Sequence, residues 1–367
     1  MNTVASPEIH LDDVYNGTPF EHFVCDKMGV GRQYFDTLVV KGTFTLKKGA
    51  RAELAPEQRP IVFADEPWNL DDPERSALRV AGEVLLTKPN TDVIVSGHAH
   101  APSGEPQTDW STSVEVRGKE LEVEAGAHAV GPNAWRYSVR EGWNLSDPEP
   151  VTKVPIRYDL AFGGAYQAWE AEEDGALGWR VWADNPSGIG FFDTEHMDGE
   201  QAYAAPQWLP EAAWFGRTRD VPLAGYGPIA RPWPSRLRHA GTYDDQWLKE
   251  ARRSIERGIP ADYARDFDPR FFQCAHPSLI MPRYLVGDEV IRLTGLMPGE
   301  PTFTFQLPCI ALEAKLRDAG GTEQVQLLCL DTVNIDTDAA TVSLCWRLSV
   351  AQQRKIGRAS ITLKEVS

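Results

Sequence analysis

The stretch DTLVVKGTFTLKKG, Asp36 to Gly49, sets Leu38, Val40, Phe44 and Leu46 on one side of an extended chain and Lys41, Thr43, Thr45 and Lys47 on the other. Successive side chains of a strand point to opposite faces, so this alternation predicts a half-buried β-strand. The texture recurs on both sides of it. EVLLTK, a Pro89-Asn90 turn and TDVIVSGHAHA predict a hairpin. STSVEVRGKELEVEAG predicts another, with Val114 and Val116 facing Leu121 and Val123 across a turn at Gly118. From Gly287 onward, DEVIRLTGL, TFTFQLP, IALEAKLR, QVQLLCLDTVNI and ATVSLCWRLSV are short runs separated by Pro-Gly, Gly-Gly and Asp-Thr-Asp turn signals. IALEAKLR has the composition of a helix, but Ile310, Leu312, Ala314 and Leu316 alternate with Ala311, Glu313, Lys315 and Arg317, which reads as a strand.

The expected class is therefore mainly β: two antiparallel sandwich-like or barrel-like units, residues 1–150 and 286–367, the second able to pack on the first. Between them, over residues 151–285, periodicity collapses and Gly, Pro and Trp accumulate; seven of the twelve tryptophans lie there. So long a stretch without regular structure is unusual in a compact domain unless it forms a functional surface. One helix stands out, near 243–257, in TYDDQWLKEARRSIERG. Thr242 or Asp244 caps it, Trp247, Ala251 and Ile255 repeat at helical spacing, and Gly258 with Pro260 ends it.

A chain of 367 residues with 42% hydrophobic and 25% charged residues has the make-up of a folded globular protein. Its formal charge of −16 argues against a nucleic-acid partner, because that affinity comes from neutralising phosphates with Lys and Arg. The first twenty residues show no basic stretch followed by an apolar one, and no window reaches the ~18 apolar residues of a spanning helix. A cytoplasmic protein without a membrane partner is the expectation. Cys25, Cys274, Cys309, Cys329 and Cys345 are widely spaced among apolar neighbours and read as reduced thiols.

GHAHAPSG, Gly97 to Gly104, is the stretch most like an enzyme's. His98 and His100 share one face of a strand and form half of a zinc site, which His128 or Asp109 could complete. Without fixed spacing to further ligands the pair reads instead as structural, ending a strand and supporting the adjacent loop, with no metal and no cofactor expected. GYGPIA and FGGAY lack the patterns that cradle phosphates and read as turns. Asp331, Asp336 and Asp338 lack calcium-loop spacing and mark a hairpin turn. No motif nominates a catalytic residue. Loop tryptophans suit either stacking on sugar rings or anchoring a protein partner.

Taken together, NGTPF (16–20), VVKGTFTL (39–46), EQRPIVFADE (57–66), TKPNTDVIVSGHAHAPSG (87–104), AFGG (161–164), DNPSGIGF (184–191), GYGPIARPWPSR (225–236), AGTYDDQW (240–247), CLDTVNID and VSLCWR resemble a bacterial family of unknown function. The genes of that family lie beside those for type VI secretion spike proteins, PAAR-repeat tip proteins and toxic effectors. The resemblance runs through nearly the whole chain. It departs after DFDPRFFQCA, where a Pro-Pro-Asp-Gln type of turn is replaced by HPSLIM. It implies a non-enzymatic adaptor or chaperone that binds an effector and helps load it onto the VgrG spike or the PAAR tip. On that reading Arg231, Trp233, Arg236, Tyr243 and Trp247 are the expected contacts, while His98, His100, Gly163, Gly164, Asn185 and Pro186 shape loops and turns. The alternative is a metal-binding hydrolase or a carbohydrate-binding protein that uses His98 and His100 or the loop tryptophans.

Overall fold

A computed structural model of the chain describes residues 14–171, 177–193, 197–318, 321–352 and 356–366. The protein is mainly β, as the alternating patterns imply, and its described strands form several open sheets. The largest is six-stranded. Its path runs Glu21–Met28, Tyr34–Thr45, Thr341–Ala351, Cys329–Asp336, Asp92–Ser96, with Glu53–Leu54 also paired to Tyr34–Thr45. A five-stranded sheet orders Trp208–Leu209, Leu121–Val130, Asp109–Gly118, Val290–Met297 and Glu300–Gln306. A four-stranded sheet orders Val14–Asn16, Ile356–Glu365, Ile310–Asp318 and Glu323–Leu327. In all three, strands from the first third are hydrogen-bonded to strands from the last, and one apolar core runs through both, from Leu38 and Val40 to Leu344 and Trp346.

The Tyr34–Thr45 strand is buried on both faces, not one. Leu38, Val40 and Phe44 enter the main core, as the alternation predicts. The other face is covered by residues 58–63 and 83–84. Lys41 Nζ donates to Glu83 (2.9 Å) and to the Pro60 carbonyl (2.9 Å), and the Gln58 amide pairs with both the N–H and the C=O of Thr43 (2.8 and 2.9 Å). Polar side chains there signal internal partners rather than solvent.

Two strand expectations need revision. EVLLTK does not pair with the segment after Asn90; Asp92–Ser96 runs parallel to Cys329–Asp336, with Val93 opposite Val333. Side chains take the place of a ladder along EVLLTK: Arg347 binds the Glu83 and Leu85 carbonyls (2.8 and 2.9 Å), and Ser349 binds that of Leu86 (2.5 Å). QVQLLCLDTVNI, likewise, is two strands in two sheets, broken at buried Leu328. The others form, although the turn of the second hairpin lies at Lys119-Glu120 rather than at Gly118, so that Leu121 faces Gly118 and Val114 faces Ala125. Asp109–Gly118 and Leu121–Val130 make a hairpin with Val116 opposite Val123 and Glu120 in the left-handed region (φ 54°), and IALEAKLR lies within the strand Ile310–Asp318.

The middle segment carries the helix Asp245–Ile255, whose N-cap Asp244 accepts from the Trp247 N–H (2.9 Å), and a four-residue helix, Pro234–Leu237, that no pattern announces. Among the described residues no helix is long and apolar enough to cross a membrane. The leader reading rests on the first twenty residues, of which 1–13 lie outside those described. All five cysteines are free.

Candidate functional site

His98 and His100 clasp a single carboxylate. The hairpin turn of NIDTDAA folds over their strand, His98 Nδ1 lies 2.7 Å from one oxygen of Asp338, and His100 Nε2 lies 3.1 Å from the other. Thr337 locks the turn from below: its hydroxyl donates to the His98 carbonyl (2.7 Å) and accepts from the His98 N–H (3.0 Å). Gly97, with φ 94°, is required here, since a Cβ would stand 2.6 Å from that hydroxyl. Burial opposes the charge of Asp338, but the hydrogen bonds from His98 and His100 outweigh it and hold the carboxyl below its ordinary range. Burial dominates at His100 and lowers its pKa, although Asp338 pulls the other way. The nominated further zinc ligands are elsewhere, paired with each other: His128 Nε2 meets Asp109 at 2.9 Å. Among the described residues no group of three or more His, Cys, Asp and Glu side chains is arranged to hold a metal ion.

AFGG and DNPSGIG are far apart in sequence and locked together in space. Phe162–Gly163 pairs in parallel with Ile189–Gly190. Buried Asn185 uses its amide to bind the Tyr158 and Phe162 carbonyls (2.7 and 3.1 Å), while its own carbonyl accepts from Gly164 N–H (2.8 Å). A Cβ on Gly163 would fall 2.1 Å from that carbonyl oxygen. Pro186 follows in the same turn, half-buried. Gly163, Gly164, Asn185 and Pro186 thus all lie in this one loop.

The five expected contact residues divide. Tyr243 is exposed and meets half-buried Trp247 edge to face (ring centroids 4.7 Å apart). Trp247 also donates its indole N–H to the Asp262 carbonyl (3.1 Å). Arg231 is exposed and pairs with Asp65 (3.1 Å). Trp233 and Arg236, by contrast, are buried. GYGPIARPWPSR packs inward as a plug: Tyr226, Ile229 and Trp233 join the main core, and Trp233 rests edge-on against Tyr158. Arg236 is drawn in after them, donating to the Ile229 and Phe271 carbonyls (2.8 and 3.0 Å). Both are covered by the fold rather than set on its outer surface.

Ile255, whose spacing groups it with Trp247 and Ala251, lies instead on the outer flank of the helix. Its buried line is Trp247, Ala251 and Ser254, with only Ala251 fully covered, and this leaves Leu248 and Ile255 outside, Ile255 62% exposed. Ile259 is exposed just beyond. Arg252, Arg253 and Arg257 stand among them, exposed and without an ion-pair partner among the described residues. The seven-residue spacing of Leu248 and Ile255 was the available signal, since it marks a second stripe beside the one defined by Trp247 and Ala251. A cleft of about 350 Å³ between this helix, Arg32 and Tyr263 adjoins Trp247.

Searches against curated proteins and against solved structures return no match. A family model described as an uncharacterized protein conserved in bacteria (DUF2169) matches residues 31–347, and the chain belongs to that family.

Proposed function

We propose that this protein is a non-enzymatic adaptor of type VI secretion, which binds an effector in the cytoplasm and hands it to the VgrG spike or the PAAR tip. The observation that carries the reading is the helix Asp245–Ile255: it is held against the 260–265 loop and Arg32 and leaves Leu248 and Ile255 exposed, with Tyr243 exposed just before its cap. Apolar and aromatic side chains held rigidly at the surface, ringed by charge, are what a protein partner buries at the centre of an interface. The type VI context comes from the sequence resemblance alone.

The test is to replace Ile255 by Glu, alone and with Leu248→Glu, and measure capture of the effector encoded beside the gene and its secretion. Both side chains are exposed, so the fold should persist while capture falls by roughly tenfold or more, the loss of a single anchoring contact. Undiminished capture by the double variant would move the interface away from this helix. Failure of the wild-type chain to bind either the effector or a tip protein would end the adaptor reading.

A further inference from the structure

A cavity of about 580 Å³ opens between the Pro234–Leu237 turn and the segment 270–282. Arg236 lines it, 5% exposed. Its two carbonyl partners are neutral, its guanidinium lies over the Phe271 ring (5.6 Å), and no carboxylate pairs with it among the described residues. Buried cations are ordinarily paired, because leaving water costs several kcal/mol that neutral carbonyls only partly return. Among the described residues, neither the side-chain N–H₂ of Gln273, 3% exposed, nor the buried hydroxyl of Ser235 has a protein hydrogen-bond partner. Both residues line the same cavity, as do Arg238, His239 and Arg270. Arg270 is engaged by Asp268, and His239 Nδ1 lies 3.9 Å from the same carboxylate. His239 Nε2 stands 3.3 Å from Arg238 Nε. Burial and then Arg270 lower the pKa of His239. Asn90 apart, the remaining wall is apolar, with Ile280, Met281 and Pro282 supplied by the HPSLIM segment and its end.

We infer that this cavity is a binding site for a carboxylate or phosphate group carried on a small apolar body. The anion would lie against Arg236 and Arg238 and accept from Gln273 and Ser235, and the apolar body would rest on Ile280 and Met281. A buried cation without a carboxylate at ion-pair distance and two polar groups without a protein partner among the described residues border one space, and one anion bound there would pair with all three. The volume falls in the range of small-ligand pockets. The inference does not depend on the adaptor reading, which concerns the Asp245–Ile255 helix.

The test is calorimetric titration of the full chain with hexanoate, hexyl phosphate and the neutral hexanamide, in a dilute buffer without phosphate. The site is expected to take up at least one anion and to ignore the amide. Preference for hexanoate would indicate a free carboxylate, such as that of a polypeptide C-terminus, and preference for hexyl phosphate a phosphorylated small molecule. Arg238→Ala, at an exposed position, should weaken binding by at least about tenfold, the worth of one charge-assisted hydrogen bond. Gln273→Leu should weaken it similarly while raising the melting temperature of the unliganded protein, because it removes a buried donor without a protein partner among the described residues. Absence of binding by both anions up to about 10 mM, equal binding of hexanamide, or unchanged affinity in both variants would overturn the site.

Discussion

Arg347 and Arg236 are buried almost equally, at 3% and 5% exposure, and each donates to two backbone carbonyls. Arg347 has in addition the carboxylate of Asp331, 2.5 Å from its Nε. Burial opposes its charge, yet Asp331 holds its proton more firmly than usual. The same closure recurs across the frame, where Lys41 meets Glu83 and Lys88 meets Asp92, with all four side chains nearly excluded from solvent. Arg236 lies in the middle segment and has no carboxylate at ion-pair distance among the described residues, Asp65 and Asp92 acting on it only from farther off. The frame therefore neutralises its buried cations internally, whereas the middle segment leaves one open beside a cavity. A closed network specifies a fold; an open one is available to something outside it.

The largest expected effect tests that contrast directly. Arg347→Met strands the Asp331 carboxylate in the core and should cost about 3–5 kcal/mol in denaturant unfolding, since breaking a buried pair leaves an uncompensated charge. Arg236→Met strands only carbonyl oxygens and should cost about 1–3 kcal/mol. Equal losses would mean that the two guanidinium groups are equivalent and that the difference between the regions has no energetic content.

A second expectation sharpens the contrast by perturbing the middle segment alone. Gly163→Ala places a methyl group against the Asn185 carbonyl, in a backbone conformation (φ 150°) that side chains rarely adopt. A cost of about 1–3 kcal/mol is expected from strain of this kind. Hydrogen exchange should locate it: amides of Phe162–Gly164 and 185–191 should lose protection while those of Leu38–Phe44 keep theirs. Uniform loss along the chain would show frame and middle segment unfolding as one unit.

What the residues disclosed in advance follows the same division. Alternation marks the strands of the frame because each strand keeps its apolar side chains on a core face, and IALEAKLR is a strand despite its helical composition for that reason. The cap at Asp244 is a local interaction and was legible as such. Pairing of Asp92–Ser96 with a strand some 240 residues later was not, because Pro89-Asn90 is a valid turn signal and nothing local reveals that EVLLTK is held by Arg347 and Ser349. Burial of Arg236 was hidden likewise: an arginine in a Pro-rich loop looks exposed until Ile229 and Trp233 are seen to pull the loop inward. The clasp at Asp338 could be guessed in half, since the histidines share a strand face while their carboxylate arrives from the other end of the chain.

That clasp lies between the two extremes, paired like Arg347 but half in solvent, and the smallest effect is expected there. His100 titrates below its ordinary 6.5 in the folded protein, so between 6.5 and its folded value the unfolded chain binds the extra proton and stability falls with falling pH. Asp338 titrates below its ordinary 3.8; its contribution is complete above 3.8 and is lost as pH falls through the folded value. Screening at these partly exposed positions keeps each limb below about 1 kcal/mol. Urea unfolding from pH 7.5 downward should show both limbs, and His100→Gln should flatten the upper one. Asp338→Asn should remove this carboxylate's share of the lower limb, to which Asp266 and Asp268 also contribute, and extend the upper one, because the carboxylate is what raises His100 against its burial. An Asp338→Asn profile that superimposes on that of the parent would mean the carboxylate and the imidazoles are neighbours without being coupled, and the joint between strand and turn would then rest on Thr337 alone.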